Sequence, residues 1–166
     1  MNRDNHYEAA FEEYLRARQV PYVAVDEARR TLAADASLKS LDFIVSSSSG
    51  YSWLVDVKGR RFPSGEQKQY WKNWSTRDDL TSLSRWEKLF GERFAALFVF
   101  AYNIHGDRAP LERKQLFEYD GALYGFVAIR LEYYATYARQ ISPRWDTVAM
   151  PVEQFRRFAQ PVEALL

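Results

Sequence analysis

The chain has 166 residues, a net charge of +1, 47% hydrophobic and 27% charged residues, and no cysteine. This length and composition predict one water-soluble domain, residues 1–166, with enough apolar residues for a core. The charge excludes a strong global attraction to nucleic acid, so such a partner needs a local basic patch, and the lack of cysteine excludes disulfides, thiolate metal sites and a cysteine nucleophile.

The first part of the chain is predicted to form a helix and then a β-hairpin. The predicted elements are a helix at 5–18, a short strand at 22–25, a polar connection at 27–37 that is either a loop or a helical turn, and two hairpin strands at 41–45 and 51–57. Apolar residues at helical spacing mark the helix, which Pro21 ends. Aromatic and β-branched residues mark the strands, and the serines and glycine at 46–50 form the hairpin turn.

A second helix and a buried strand are predicted next. The predicted loop with a helical piece, the helix and the strand lie at residues 59–77, 78–90 and 94–102. Asp78 and Asp79 suit the positive end of a helix dipole, and Gly91 suits the end of the helix. The continuous apolar run FAALFVFAY is typical of a strand that is covered on both faces.

The remaining chain is predicted to add strands to a sheet and to end in a helix. After a charged loop, two strands, a helical turn, a strand and a helix are predicted at residues 115–119, 123–130, 131–139, 145–150 and 151–159. Asp120-Gly121 between the first two strands is a strong hairpin signal, and Pro151 suits the first position of a helix. A helix between the first hairpin and the buried strand requires a crossover, so the order predicts an α/β fold with a mixed β-sheet flanked by helices.

The sequence shows no signal for secretion or membrane insertion. Its first residues, MNRDNHYEAA, lack the apolar stretch of a signal peptide. The longest apolar run, at 94–102, is too short to cross a bilayer as a helix. We therefore expect a cytoplasmic protein without a membrane partner.

The predicted hairpin carries charged residues where a half-buried strand is expected to carry neutral ones. Side chains alternate along a strand, and one face of the second strand is fully apolar, with Trp53, Val55 and Val57. That face is predicted to face the core, which places Asp56 and Lys58 on the opposite face, about 7 Å apart along the strand. Antiparallel pairing across the short turn brings Asp42, at the start of the partner strand, beside Asp56.

A pair of carboxylates beside an amine suits hydrolysis of a phosphodiester. Two neighbouring carboxylates repel each other unless a cation or water separates them, and Mg²⁺, with Mn²⁺ as a substitute, takes one or two carboxylates and keeps several waters. Such an ion activates water and stabilises charge on phosphate, while Lys58 could orient the water or neutralise the transition state. The alternative is a solvated sheet face, on which Lys58 forms a surface ion pair worth under about 1 kcal/mol.

The sequences LD at 41–42 and DVK at 56–58 resemble the motif of the PD-(D/E)XK nuclease superfamily, which includes restriction endonucleases and Holliday-junction resolvases. The resemblance implies that Asp42 and Asp56 bind the metal and that Lys58 supports the nucleophilic water. Leucine stands at position 41 where the family has proline, a departure that touches no ligand.

The same resemblance implies a fold and a further acid. The fold is restriction-endonuclease-like, with a core over about residues 5–102 and a C-terminal extension at 103–166. Many members add a glutamate from the first helix, and the resemblance assigns this role, as metal ligand or base, to Glu8. The alternative is a capping box in which Asn5 and Glu8 start the helix.

The segment at 58–77, KGRRFPSGEQKQYWKNWSTR, follows the predicted site directly and is rich in basic and aromatic residues. Basic groups meet phosphates, and aromatic rings stack on exposed bases. The residues predicted to contact substrate are Arg60, Arg61, Lys68, Trp71, Lys72 and Trp74. The alternative is a solvated loop whose tryptophans pack beneath it.

The chain is therefore predicted to be a Mg²⁺-dependent nuclease, and the resemblance favours DNA over RNA as its substrate. The rival hypothesis is the same fold used, without catalysis, to bind nucleic acid or a protein partner. A third hypothesis is an interaction protein in which the aromatic C-terminal half forms an obligate homodimer. The motif retains all three charged members, which favours catalysis, whereas the near-neutral net charge favours weak or local contact with nucleic acid.

Overall fold

The structure, a computed structural model, describes residues 5–26 and 38–166. The connection predicted at 27–37 lies outside the described residues. The first elements are α1 (His6–Ala17), β1 (Tyr22–Ala24), β2 (Phe43–Ser46), β3 (Ser52–Phe62), β4 (Ser75–Thr76), α2 (Arg77–Phe90) and β5 (Phe94–Ile104). The predicted order of helix, hairpin, crossover helix and buried strand is confirmed.

One stretch of this half differs from the sequence prediction. Residues 59–77 were expected to form a loop with a helical piece, but β3 runs on to Phe62 and the short strand β4 follows. Strand β3 pairs in parallel with β5 along its whole length, up to Phe62 opposite Ile104. Backbone pairing with β5 extends β3 through Gly59, a residue type of low strand propensity, and through the two arginines that follow it.

The C-terminal elements are β6 (Phe117–Tyr119), β7 (Ala122–Arg130), α3 (Leu131–Tyr137), β8 (Arg139–Ser142), β9 (Thr147–Ala149), α4 (Val152–Phe158) and β10 (Gln160–Pro161). The strand predicted at 145–150 is shorter, because Trp145 and Asp146 belong to the turn between β8 and β9. The sequence did not predict β8, whose four residues are mostly exposed and carry no alternating pattern.

The strands form a mixed sheet with helices on its faces, as predicted. The main sheet has seven strands in the order β1-β2-β3-β5-β7-β10, with β6 paired to β7. Strands β3 and β5 are parallel, joined by the crossover through α2, and the other pairs are antiparallel. Strands β4, β9 and β8 form a second, three-stranded sheet.

Both faces of β3 are buried, which corrects the prediction of a single core face. Trp53, Val55 and Val57 pack with α1 in one apolar cluster, as expected. The other face, with Leu54, is covered by a second cluster that includes Leu83 of α2. The polar residues of β3 therefore lie beneath a helix rather than on a solvated face, because the crossover from β3 to β5 carries α2 over them.

Helix α1 lies against β3 at the glycine that follows Lys58. The side chain of Asn5 caps the helix by accepting a hydrogen bond from the Tyr7 N–H at 3.1 Å. A Cβ atom at Gly59 would collide with the Tyr7 ring, so only glycine allows this approach. The contact holds the first turn of α1, with Glu8, beside the charged part of β3. Within the described part of the chain, no helix combines the length and hydropathy needed to cross a membrane.

Candidate active site

Asp42 and Asp56 are brought together where β2 begins and β3 passes its middle. Asp42 directly precedes β2, and its Oδ2 accepts a hydrogen bond from the backbone N–H of Val57 at 2.7 Å. Its own N–H donates to the carbonyl of Val55 at 2.9 Å. The Asp42 side chain is thus fixed on β3 next to Asp56, as antiparallel pairing of the hairpin predicts.

Both carboxylates have raised pKa values, chiefly because they are largely buried. Burial, together with the nearby charges of Asp56 and Glu8, raises the pKa of Asp42 well above its usual value. Burial also raises the pKa of Asp56 to about 6, although the Lys58 ammonium opposes the shift. Largely buried groups whose pKa values are shifted by nearby charges are common at functional sites.

Glu8 lies at the border of this cluster and also takes part in the start of α1. The Asn5 amide donates to Glu8 Oε1 at 2.9 Å, which resembles the capping alternative. The Glu8 charge nevertheless contributes to the raised pKa values of both Asp42 and Asp56. Glu8 can therefore hydrogen-bond to Asn5 at the start of α1 and still lie beside Asp42 and Asp56.

Lys58 is largely buried between two carboxylates. Its Nζ lies 3.0 Å from Asp56 Oδ2 and 3.1 Å from Asp79 Oδ2, and its side chain is only 16% exposed. Burial alone lowers the pKa of Lys58, but Asp56 and Asp79 outweigh burial and keep the pKa above its usual value. Lys58 is therefore a fixed ammonium rather than one half of an exposed surface pair.

Asp79 also belongs to this cluster, although the sequence predicted for it only a favourable place at the positive end of a helix dipole. Its side chain, 9% exposed, lies 2.9 Å from Lys39 Nζ and accepts a hydrogen bond from Ser75 Oγ at 2.9 Å. It also accepts from the N–H of Thr76, which completes a capping box at the start of α2. Burial opposes its charge, yet Lys58, Lys39 and the Thr76 N–H hold the pKa of Asp79 well below its usual value.

The donor set fits a hard divalent cation in its chemistry. Asp42 and Asp56 offer carboxylate oxygens at adjacent positions, and burial, with a further contribution from neighbouring acids, raises the pKa of each, a strain that a bound cation would relieve. Within residues 5–26 and 38–166, no three or more His, Asp or Glu side chains form a ready-made metal-holding group. Mg²⁺ is compatible with this finding because it takes one or two carboxylates and completes its shell with water.

The four basic residues predicted to contact substrate lie in different environments in the structure. Arg60 donates to the carbonyls of Gly59 and Trp74, and its Nε is buried with no hydrogen-bond partner in the described residues. Arg61 and Lys68 are exposed, whereas Lys72 is half-buried. Arg60 thus ties β3 to the segment at 71–74, and the other three lie nearer to solvent.

The two tryptophans predicted to stack on bases also differ. Trp71 packs its ring edge-on against Phe62 and Tyr102, with centroids 5.4 Å and 6.0 Å away, as in the alternative of a packed loop. The Trp74 ring is 40% exposed, and the Arg60 guanidinium lies 3.8 Å from its centroid. Trp74 is therefore the more accessible of the two rings.

Of the comparisons with protein-family models, curated proteins and solved structures, the last gives a match. Neither the protein-family models nor the curated proteins include a match to this chain. Among solved structures, the chain is similar to Hjc, a Holliday junction resolvase from the archaeal hyperthermophile Archaeoglobus fulgidus, with a TM-score of 0.58 and 10% identity. The match covers 96% of each chain, so it extends beyond residues 5–102. At this identity the likeness shows the fold, which is restriction-endonuclease-like as predicted.

Proposed function

We propose that this chain is a metal-dependent nuclease that hydrolyses phosphodiester bonds of DNA. The observation that carries the proposal is the largely buried cluster of Asp42, directly before β2, with Asp56 and Lys58 on β3 of a restriction-endonuclease-like sheet. Carboxylates whose charged forms are disfavoured by burial and by neighbouring acids oppose folding when they are ionised, so a purely structural role gives them little reason to be there. A reaction that needs a cation and a fixed ammonium gives them one.

In this proposal Asp42 and Asp56 would hold a Mg²⁺ or Mn²⁺ ion, and Glu8 would act as a further ligand or base. When bound, the ion activates a water molecule and stabilises charge on the phosphate. Asp42 is well suited to this task because its hydrogen bond from Val57 fixes the carboxylate before any ligand arrives. Asp56 extends from β3, whereas Asp42 directly precedes β2, so the chain offers oxygens from two adjoining segments.

Lys58 would place a positive charge against the phosphate or orient the attacking water. The gain from such a group is greatest when its donors are fixed in advance and shielded from water. Asp79 supplies that fixation in our proposal, because it binds Lys58 at 3.1 Å independently of Asp56. Asp79 would therefore keep the Lys58 ammonium in the site even if Asp56 no longer paired with it.

DNA is the proposed substrate for two reasons. The motif resembles that of DNA nucleases, and the similar solved structure is a Holliday junction resolvase. The basic residues Arg61, Lys68 and Lys72 lie in the segment after the site and would contact the phosphate backbone. These contacts are local, in agreement with a net charge of only +1.

The proposal is tested by incubating the purified chain with labelled duplex, single-stranded, flapped and four-way branched DNA. We expect cleavage of at least one substrate with Mg²⁺ or Mn²⁺ and none in EDTA, because the reaction requires the ion at Asp42 and Asp56. A matched set of RNA substrates measures the preference for DNA. Absence of cleavage from every substrate with either metal would contradict the proposal.

A binding protein without catalysis is the second candidate. It is favoured by the closed pair between Lys58 and Asp56, at 3.0 Å, and by the lack of a ready-made group of three metal ligands among the described residues. The same experiment separates the two functions. A binding protein retains labelled DNA in a mobility-shift measurement but leaves it uncut under all metal conditions.

A further inference from the structure

We propose that a groove next to the candidate active site binds an unpaired nucleotide, so that the preferred substrate carries single-stranded nucleotides beside the cut. This inference rests on the proposed function and names its substrate class. The Trp74 groove, as we call it, has the segment 69–74 on one side and Ile141, Ala149, Met150 and Val152 on the other. Its volume of about 420 Å³ lies in the range of small-molecule sites.

The backbone of the groove is held rigidly before any ligand binds. The buried Asn73 side chain accepts a hydrogen bond from the Met150 N–H at 2.8 Å and donates to the Met150 carbonyl at 3.1 Å. The Asn73 carbonyl accepts from the Tyr134 hydroxyl at 2.6 Å, and the Lys72 carbonyl accepts from the Tyr102 hydroxyl at 2.9 Å. These bonds connect both sides of the groove to the core.

Trp74 is a preformed stacking surface in this groove. The Arg60 guanidinium binds the Trp74 carbonyl and lies over its ring, so one side chain fixes both the backbone and the indole. The indole nevertheless remains 40% exposed. A fixed, exposed aromatic ring loses little conformational freedom when a second flat ring stacks on it.

The charge of the groove selects the kind of ring that it binds. Among the residues that line the groove, all within the described part of the chain, Lys72 is the only charged one. The other lining residues are aromatic, aliphatic or amide-bearing. A ligand that matches this surface combines a flat ring with a negative charge, which is the chemistry of a nucleotide.

The groove is connected to the candidate active site through Arg60. This residue follows Lys58 by two positions on the same face of β3, about 7 Å along the strand, and contacts Trp74 directly. A nucleotide on Trp74 therefore neighbours the phosphate at the site. A base within an intact duplex is already stacked and paired, so it must leave the helix to reach Trp74, whereas an unpaired base reaches it without that cost.

The test measures binding in EDTA, where the metal-dependent reaction cannot occur. Labelled blunt duplex is compared with the same duplex carrying a single-stranded thymidine extension. We expect the wild type to bind the extended DNA more tightly, and Trp74→Ala to lose about tenfold in affinity for it, the range of one base stacked on an aromatic ring. Trp74→Phe should retain most of the affinity, and blunt-duplex binding should change little.

Trp145→Ala is the matched control, because Trp145 is also exposed, at 68%, has Arg144 5.1 Å from its ring centroid and lies outside the groove lining. It should bind both DNAs as the wild type does. In a second measurement, an oligothymidylate should shift the indole N–H resonance of Trp74 but not that of Trp145. An unmoved Trp74 resonance, or equal affinity of the wild type for both DNAs, would overturn the proposal.

The outcomes distinguish the groove from the proposed function. If the wild type cuts blunt and extended DNA equally and Trp74→Ala changes neither, the groove proposal is wrong and the nuclease proposal stands. If the extension binds at Trp74 but no DNA is cut with Mg²⁺ or Mn²⁺, the nuclease proposal is wrong and the groove proposal stands.

Discussion

Replacing Lys58 by alanine is expected to reduce metal-dependent cleavage by about 10²–10⁴-fold, the usual range for a fixed catalytic charge or proton donor. The Lys58 side chain lies between Asp56 and Asp79, and among the described residues no other lysine contacts both carboxylates. Single-turnover cleavage with saturating enzyme measures the effect on the chemical step. Lys114→Ala is the control, because that lysine is 80% exposed and should leave the rate unchanged.

The loss of Lys58 also leaves two buried carboxylates facing each other, which typically costs about 3–5 kcal/mol of stability. Lys58→Gln, which retains a hydrogen-bond donor of similar length, and a circular dichroism spectrum of each variant therefore accompany the measurement. A folded Lys58 variant that cleaves at the wild-type rate would contradict the role assigned to the lysine.

Substitutions of Asp79 and its neighbour Asp78 test the role of Lys58 a second time, with a smaller expected effect on the rate. Asp79→Asn weakens one of the two contacts of Lys58, so we expect kcat to fall by about tenfold with little change in KM. Asp78→Asn should have no effect, because Asp78 is 55% exposed and contacts Lys39 but not Lys58. A purely structural role for Asp79 predicts a fall in stability without this selective loss of kcat.

Asp42→Asn is expected to make the metal-free protein more stable while abolishing its metal-dependent activity. The asparagine Oδ1 can still accept the Val57 N–H, whereas the negative charge beside Asp56 and Glu8 disappears. We expect a gain in the free energy of unfolding near neutral pH, because the disfavoured charge is removed while the hydrogen bond from Val57 can be kept. Urea unfolding in EDTA measures the gain, and the cleavage assay measures the loss.

The pH dependence of this gain has a definite sign. Because the folded-state pKa of Asp42 is raised, the native state binds the proton more tightly than the unfolded chain does. The wild type is therefore most stable, with respect to this group, below the unfolded pKa of about 3.9, and loses stability as pH rises through the folded pKa. The difference between Asp42→Asn and the wild type should therefore grow as pH rises from about 4 toward neutral pH.

Asp107→Asn is the control for this experiment, because Asp107 is exposed. Its stability should follow that of the wild type across the same pH range. If Asp42→Asn is less stable than the wild type near neutral pH, then the Asp42 charge stabilises the native state and the account of an uncompensated carboxylate pair is wrong.

The sequence predicted the hairpin and its charged residues because both depend on local rules. Alternation along a strand places Asp56 and Lys58 on one face, and a short turn sets Asp42 near Asp56. The order of helix, hairpin, helix and buried strand then limits the topology to a mixed sheet with a crossover. These inferences need no knowledge of which other elements cover the strands.

The sequence predictions were wrong or incomplete where segments that are distant in sequence pack against each other. Alternation shows which residues share a face but not that α2 covers the face of Asp56, and therefore not that the cluster is buried. The same crossover brings Asp79 to Lys58, although its local sequence signals only a helix start. Pairing with β5 extends β3 past Gly59, a residue type of low strand propensity.

The basic and aromatic segment shows a further limit of sequence patterns. Its composition predicts contact with phosphates and bases, but not which side chains remain accessible. Trp71 packs against Phe62, whereas Trp74 stays exposed over Arg60. The two tryptophans have similar sequence neighbours, and only the packing of the second apolar cluster separates them.

Titration calorimetry with Mn²⁺ tests the central claim most directly, namely that Asp42 and Asp56 together hold a divalent cation beside Lys58. The account predicts saturable binding to the wild type and binding at least about tenfold weaker to Asp56→Asn, in which Asp79 still pairs with Lys58. Binding of equal strength to both proteins, or no saturable binding to the wild type, would contradict it.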